Sequence, residues 1–506
     1  MAEPDPESTV PSPGGPRGWR RLLVEPPRPR SVARNPNAHW LVVATVCVGA
    51  FMGQLDASIV VIALHRMQNY FHSNLGAVEW VSLAYLLTLI ALVTAVGRFA
   101  DMAGRKLLYI YGFAIFIIGS GLCGAAPNLI ALDLFRVLQG FGAAMLQANS
   151  VALIVQAMPP KKLGRGIGVQ GAAQALGLAL GPAVGGALLT LGGLQWGWRL
   201  LFWVNVPAGL IGFGLGWFLL PRSRHLEARH PIDWMGLGLF VVAIAGLLVA
   251  LTFGDQIGWG SPTIVAGLVA AVVFGLGFIL WERRFSDPMM RLSTFANKAF
   301  SFGIASGLLS YLALFGTLFV FPFYLEIGTH LSPGAAGVRL LVLPAALGLA
   351  APVAGILAER IGARPLTVGG MVLAALALLG VALRPGSGGE LLGELAAIGV
   401  GLGAFTPPNN AAIMGAVPRQ QAGMASGILN MTRGTGTAMG VALTGLVFGL
   451  AAGTSTAHVN SPHLVKLGFG AALAFLVVVA ALSALLSSFR GRGHLHQGSE
   501  SATESL

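Results

Sequence analysis

Residues Gly97–Lys106 read GRFADMAGRK, and residues Gly355–Arg364 read GILAERIGAR. Aligned, both give G-x-x-A-acid-x-x-G-x-base. Each decapeptide sits between two long apolar runs, in a chain otherwise poor in charge. Only 10% of the 506 residues are charged and 55% are hydrophobic, with a mean hydropathy of +0.76. A soluble domain carries about 25% charged residues. A chain this apolar cannot keep its surface in water, so its solvent is largely lipid. The 71 glycines are dispersed among Leu, Val and Ala, where small residues let membrane helices approach closely.

Crossing a hydrocarbon core takes about 20 apolar residues. Fourteen stretches qualify: 40–66, 78–98, 107–126, 130–157, 165–191, 200–220, 234–253, 263–282, 299–325, 335–358, 366–384, 391–416, 421–449 and 467–488. Spans 12 and 13 are the hardest to bound, because GAFTPPNNAAIMGAVP interrupts them. Sorting the 31 Lys and Arg by alternating sides puts most of them on one side. That side holds the N-terminal tail, the loops after even-numbered spans and the C-terminal tail. The positive-inside rule then predicts both termini in the cytoplasm, with the chain multi-pass in the plasma (cell inner) membrane. The formal charge of +12 is explained by basic loops facing anionic lipid, so lipid and not nucleic acid is the expected partner. Cys47 and Cys123 lie in apolar runs and read as small buried hydrophobes.

The two hinges follow spans 2 and 10, so the repeat is offset by eight spans. This divides the chain into a disordered basic, Pro-rich tail (1–38), an N-terminal six-helix bundle (39–220), an inserted two-helix hairpin (233–283), a C-terminal six-helix bundle (299–488) and a second tail (489–506). The expected fold is all-α and polytopic. Related bundles of this kind place a substrate site between them near mid-membrane and rock around it.

Charged residues inside spans are functional candidates, because each costs about 2.5–3.5 kcal/mol on insertion scales. Asp56, Arg136 and Arg433 each lie roughly 12–18 Å from a membrane face at about 1.5 Å per residue. Asp56 is the leading proton or substrate-charge site, with Arg136 tuning it and holding Gln139. Asp133, one turn before Arg136, is an alternative partner for that Arg. Glu79 and Glu326 fall near the outer mouth, as interfacial acids or as groups that attract cations and release protons. Arg433, in NMTRGTGTAMG, is expected to be structural or gating. In the hinge, Asp101 with Arg105 and Lys106 forms a candidate latch, with Gly97 and Gly104 allowing close approach and a tight turn. Gly355, Glu359, Gly362 and Arg364 form a weaker second copy. Gly177, Gly181, Pro182, Gly185 and Gly186 make a smooth stripe with a permitted kink, expected at the seam between halves.

On these motifs the chain resembles the major facilitator superfamily and, within it, the fourteen-span drug:proton antiporters. The first hinge is similar to the superfamily's signature loop G-x-x-x-D-x-x-G-R-[RK]. RVLQGFGAA (Arg136–Ala144) resembles its span-4 motif and GLALGPAVGG (Gly177–Gly186) its antiporter motif. LDASIVVIAL (Leu55–Leu64) resembles the span-1 motif L-D-x-T-I-V-N-V-A-L-P, with Val61 and His65 departing from it. WRLLFWVNVPAG (Trp198–Gly209) and WERRFSDPMMRLSTF (Trp281–Phe295) resemble further stretches of the subfamily. The resemblance implies two six-helix bundles related by a pseudo-two-fold axis. It also implies a monomeric secondary transporter that exports lipophilic, possibly cationic, small molecules against protons, and a latch that closes the inner side.

Other cargo on the same fold is the alternative: a metabolite, siderophore, peptide or lipid. The proton gradient is the expected drive, without cofactor or metal, and the chain shows no G-x-x-x-x-G-K-[ST], HExxH or GxSxG motif. An enzyme or a receptor is therefore the remote reading.

Overall fold

A computed structural model of the chain describes residues 25, 27–73, 75–159, 162–223, 233–285, 288, 290, 292–331, 333–386, 388–418, 421–453 and 462–489. Lipid offers backbone groups no hydrogen bonds, so each apolar run closes its own as a helix. The N-terminal half holds α1 (Ala38–Phe71), α2 (Leu75–Ala103), α3 (Arg105–Ala125), α4 (Leu129–Ala157), α5 (Leu163–Trp203) and α6 (Asn205–Leu219). The hairpin is α7 (Trp234–Ile257) and α8 (Pro262–Glu282). The C-terminal half holds α9 (Lys298–Phe323), α10 (Val342–Ile361), α11 (Ala363–Leu383), α12 (Gly389–Gly415), α13 (Ala422–Ala452) and α14 (Pro462–Ser488). A π turn, Tyr324–Gly328, extends α9, and a short helix, Pro333–Leu340, leads into α10. Fourteen helices among the described residues are long and apolar enough to cross a membrane.

The packing repeats as the sequence does. In the first half α1 lies on α5, α2 and α3 on α4, and α6 on α3. In the second half α9 lies on α13, α10 and α11 on α12, and α14 on α11. The halves meet along two seams, α2 with α13 and α5 with α10. Shifting each helix number by eight exchanges one seam for the other, as a pseudo-two-fold axis requires. The hairpin breaks this symmetry: α7 packs on α13 and α2, covering one seam only.

Two helix interiors depart from simple expectation. α12 runs unbroken through Pro407 and Pro408. Thr406 Oγ turns back to the Leu402 carbonyl at 2.9 Å and Asn409 Nδ2 reaches the Gly303 carbonyl of α9 at 3.2 Å. These bonds brace the helix on either side of the prolines, which themselves leave the Gly403 and Ala404 carbonyls without their usual amide donors. In α5 the interruption in helical dihedrals is at Gly193 (φ 62°) rather than at Pro182. That conformation is open to glycine at little cost.

Candidate functional site

The first site forms where α1, α3, α4 and α6 converge. Asp56 of α1 is fully buried. Its Oδ2 accepts from Arg136 Nη1 at 2.7 Å. Its Oδ1 accepts from Gln139 Nε2 and from Asn205 Nδ2, each at 2.9 Å. Arg136 Nε donates to the Val81 carbonyl at 2.8 Å and Nη1 also to Gln139 Oε1 at 2.7 Å. The guanidinium lies 4.2 Å from the Tyr85 ring centroid. Gln139 Nε2 reaches Ser120 Oγ on α3 at 2.7 Å. Glycines make this convergence possible. A Cβ on Gly119 would lie 2.7 Å from Gln139 Cα, so α3 can come close enough to α4 for Ser120 to reach Gln139 only because that position is bare.

A buried ion pair survives when its remaining lone pairs and protons are satisfied. Here both carboxylate oxygens have donors, three side chains from two other helices. Protonating Asp56 would leave Arg136 charged and Gln139 and Asn205 facing a neutral acid, so proton occupancy changes the bonding between α1, α4 and α6. The structure pairs Arg136 with Asp56, and no ion pair between Arg136 and Asp133 occurs among the described residues. Asp133 is half-buried with Oδ1 lacking a hydrogen-bond partner. Glu326 is exposed in the π turn. Glu79 lies in the first turns of α2, and its side chain, like those of Val61, His65 and Pro182, is outside the described residues.

The second site is the hinge. Asp101 is buried at the end of α2. It accepts from Arg105 Nη2 at 2.9 Å. It also crosses the seam to accept the backbone N–H groups of Gly423 and Met424, each at 3.1 Å. These are in the first turn of α13, whose amide donors have no partner within their own helix. A carboxylate there satisfies them and complements the helix dipole. Gly97 permits the contact, since a Cβ there would run into the Gly423 carbonyl. Gly104 takes a left-handed φ of 108° to turn the chain into α3. Lys106 is buried and donates to the Leu220 carbonyl at the end of α6 at 2.7 Å.

The second copy is built the same way with fewer bonds. Glu359 is exposed and accepts the Arg165 N–H at the start of α5 at 3.1 Å. Gly355 faces the Gly164 carbonyl and leaves no room for a Cβ. Gly362 turns the chain with φ 85°, and Arg364 is exposed.

The glycine stripe of α5 is not at the seam between halves, where the sequence placed it. Gly177 and Gly181 face α1, at Phe51, Gln54 and Ser58. A Cβ on Gly186 would meet nothing within 4 Å, and Gly185 is buried. The seam with α10 uses Gly164, Gly168 and Gly171 instead. Smooth faces therefore serve both neighbours of α5, and Gly177 and Gly181 close α5 onto α1 at Gln54 and Ser58, on either side of Asp56 in sequence.

A third feature is a cavity between the halves, walled by α4, α5, α9, α12 and α13. Arg433 lines it, donates to Gln147 Oε1 on α4 across the interface and is also hydrogen-bonded to the Tyr311 side chain.

Sequence reasoning missed Asn205, Ser120 and Gln147. Asn205 and Gln147 carried a legible signal, an amide in an apolar span, whereas Ser is common enough to give none. It also missed Glu25, placed in the polar tail. Its carboxylate accepts from Ser223 N and Oγ at 2.6 and 2.8 Å, and Ser223 Oγ accepts from the Arg105 N–H at 3.0 Å. At this point the tail is seated on the hinge.

Comparison with known proteins agrees with this architecture. The sequence model described as Major Facilitator Superfamily matches residues 46–232 and 303–504. The chain is 34% identical to the riboflavin transporter RibZ of Clostridioides difficile, over 80% of this chain and 87% of that relative. It is 35% identical to the multidrug resistance protein Stp of Mycobacterium tuberculosis, over 82% of this chain and 76% of that one. Among solved structures, the proton:xylose symporter XylE bound to 6-bromo-6-deoxy-D-glucose superposes with a TM-score of 0.62 at 15% identity, covering 90% of this chain and 97% of that one. With its repeated six-helix halves, fourteen spans and matching family model, this chain is a multi-pass membrane transporter belonging to the major facilitator superfamily.

Proposed function

We propose that the protein is a proton-coupled antiporter that exports lipophilic small molecules from the cytoplasm, working as a single chain with both termini inside. The observation that carries this reading is the buried Asp56, held by Arg136, Gln139 and Asn205 at hydrogen-bond distance. A carboxylate in lipid is tolerated where it has a task and a partner, and here it ties α1 to α4 and α6 inside the half whose α2 and α5 form both seams. The relative named for multidrug resistance supports drug export as the direction of work.

Protons reach Asp56 from outside and neutralise it. The weakened grip on Arg136 and Asn205 loosens α1 from α4 and α6, and the halves reorient. Release of the proton inside restores the network. The hinge latch supplies the opposing bias: Asp101 on α13, with Glu359 on α5, holds the inner side shut. A proton moving through 100 mV releases about 2.3 kcal/mol, and one hydrogen bond to a charged group contributes about 1.5–3 kcal/mol. One proton therefore offsets roughly one latch bond, and cargo binding has to supply the rest. Coupling follows from that balance.

Carriage of a polar metabolite on the same fold is the second reading, favoured by the riboflavin transporter relative. Proteoliposomes loaded with a panel of lipophilic dyes and metabolites, with and without an imposed proton gradient, test the proposal. Dye movement that requires the gradient and stops when an ionophore collapses it supports proton antiport. Movement indifferent to the gradient contradicts it, and gradient-driven movement of metabolites alone favours the second reading.

A further inference from the structure

The cavity between the halves has a polar character that the transport reading does not use. Its hydrogen-bonding lining side chains are all neutral or positive, among them Gln170, Gln174, Tyr311, Asn410, Asn430 and Arg433. Its described walls include no Asp or Glu. The interior acid, Asp56, is on α1, fully buried and already paired with Arg136. Asp101 is committed to Arg105 and to α13 at the hinge.

Arg433 is therefore the only formal charge among the described lining residues. Its partners, Gln147 and Tyr311, are neutral, and among the described residues no carboxylate pairs with it. A guanidinium has five N–H donors and no acceptor, so it has donors left to offer. Gln170 points the same way. It is 2% exposed, it lines the cavity, and its Nε2 has no hydrogen-bond partner. An unmade buried bond is costly, and here what is missing is an acceptor. Both groups ask the cargo for oxygen acceptors and negative charge. A cation would have to leave water beside Arg433 with no counter-charge to receive it. Between the polar groups, Ile167, Pro407 and Leu429 add apolar surface; the cavity is about 20 Å³ in this structure, so it admits a ring system only as the halves part and widen it.

We propose that this cavity binds acidic aromatic compounds, a carboxylate or phenolate on a planar ring system, with Arg433 taking the anionic oxygen and Gln170 donating to a second acceptor. This deepens the export reading and rests on it for the idea that the cavity holds cargo.

The test uses two xanthene dyes of similar shape and opposite charge, fluorescein and rhodamine 6G. Each is titrated with the purified full-length protein in detergent, above neutral pH where fluorescein is anionic, and followed by fluorescence anisotropy. The expected result is tighter binding of fluorescein by about tenfold or more. Arg433→Gln should remove that preference, Arg433→Lys should keep part of it, and Gln170→Leu should weaken fluorescein several-fold. Should Arg433→Gln fail to fold, the Lys and Leu variants carry the comparison. Tighter binding of rhodamine 6G overturns the proposal, as does equal binding unaffected by Arg433→Gln, or no binding of fluorescein by folded protein. The measurement needs no proton gradient, so its failure leaves proton coupling standing. Loss of gradient-driven transport, conversely, leaves the charge preference standing.

Discussion

Asp56 keeps a carboxylate inside the membrane because three side chains from two other helices share its two oxygens. Removing one partner of a buried ion pair typically costs about 3–5 kcal/mol when the other stays charged. Arg136→Ala leaves the buried carboxylate without its charged partner, so the variant should lose proton-driven transport, with its expression measured alongside. Asn205→Ala removes one neutral donor and leaves the ion pair intact. Its transport under a fixed gradient should fall several-fold rather than vanish, and initial rates in vesicles check the order. Equal loss in both variants would mean that Asn205 does more than donate one bond. Asp56, Arg136 and Gln139 were legible in the sequence because a charge or amide in an apolar run needs a reason to be there. Which acid Arg136 takes was not legible. Asp133 is one turn away on the same helix, whereas Asp56 is reached through the packing of α1 on α4, which no local pattern encodes.

The helices turn these bonds into a hinge. Asp101 ties down two N–H groups of α13 and is itself held by Arg105. Glu359 ties down one on α5 and is exposed. Buried charge-assisted bonds outweigh exposed ones, so the two copies should differ. Asp101→Asn should raise cysteine labelling of the inner side strongly, and Glu359→Gln only slightly. If both leave labelling unchanged, the latch does not set the balance between states. Gly97→Val should do more than either, because a side chain there meets the Gly423 backbone, which cannot rotate away. The hinge repeat could be read directly, since an acid flanked by two spaced glycines is rare in apolar sequence. The glycines of α5 were harder to place. Their four-residue spacing fixes a smooth face but not its partner, and Gly177 and Gly181 turn to α1 while Gly164, Gly168 and Gly171 turn to α10.

At the scale of the molecule, the eight-span shift that relates the hinges also relates the packing of α1 on α5, of α2 and α3 on α4, and of α6 on α3 to its counterpart in the second half. The hairpin is the exception. On one seam it packs against α13 from one half and α2 from the other, with Trp80 of α2 and Phe253 of α7 in ring contact at 5.9 Å. Packing is more extensive with α13, so the hairpin should travel with the C-terminal half and slide along α2. A short bis-maleimide bridge between Trp80→Cys and Phe253→Cys, with Cys47 and Cys123 replaced, should slow transport; full activity of the bridged protein would show that the hairpin follows α2. Span number and repeat were readable from hydropathy and the hinges, while the hairpin's seat was not, because nearly all of its residues are apolar and any lipid-facing groove would suit them. All these motions serve one claim, that a proton on Asp56 drives the exchange. The most direct measurement compares gradient-driven accumulation with counterflow exchange for Asp56→Asn in proteoliposomes. Accumulation should be lost with exchange retained; accumulation equal to that of the unaltered protein would mean that Asp56 does not carry the coupled proton.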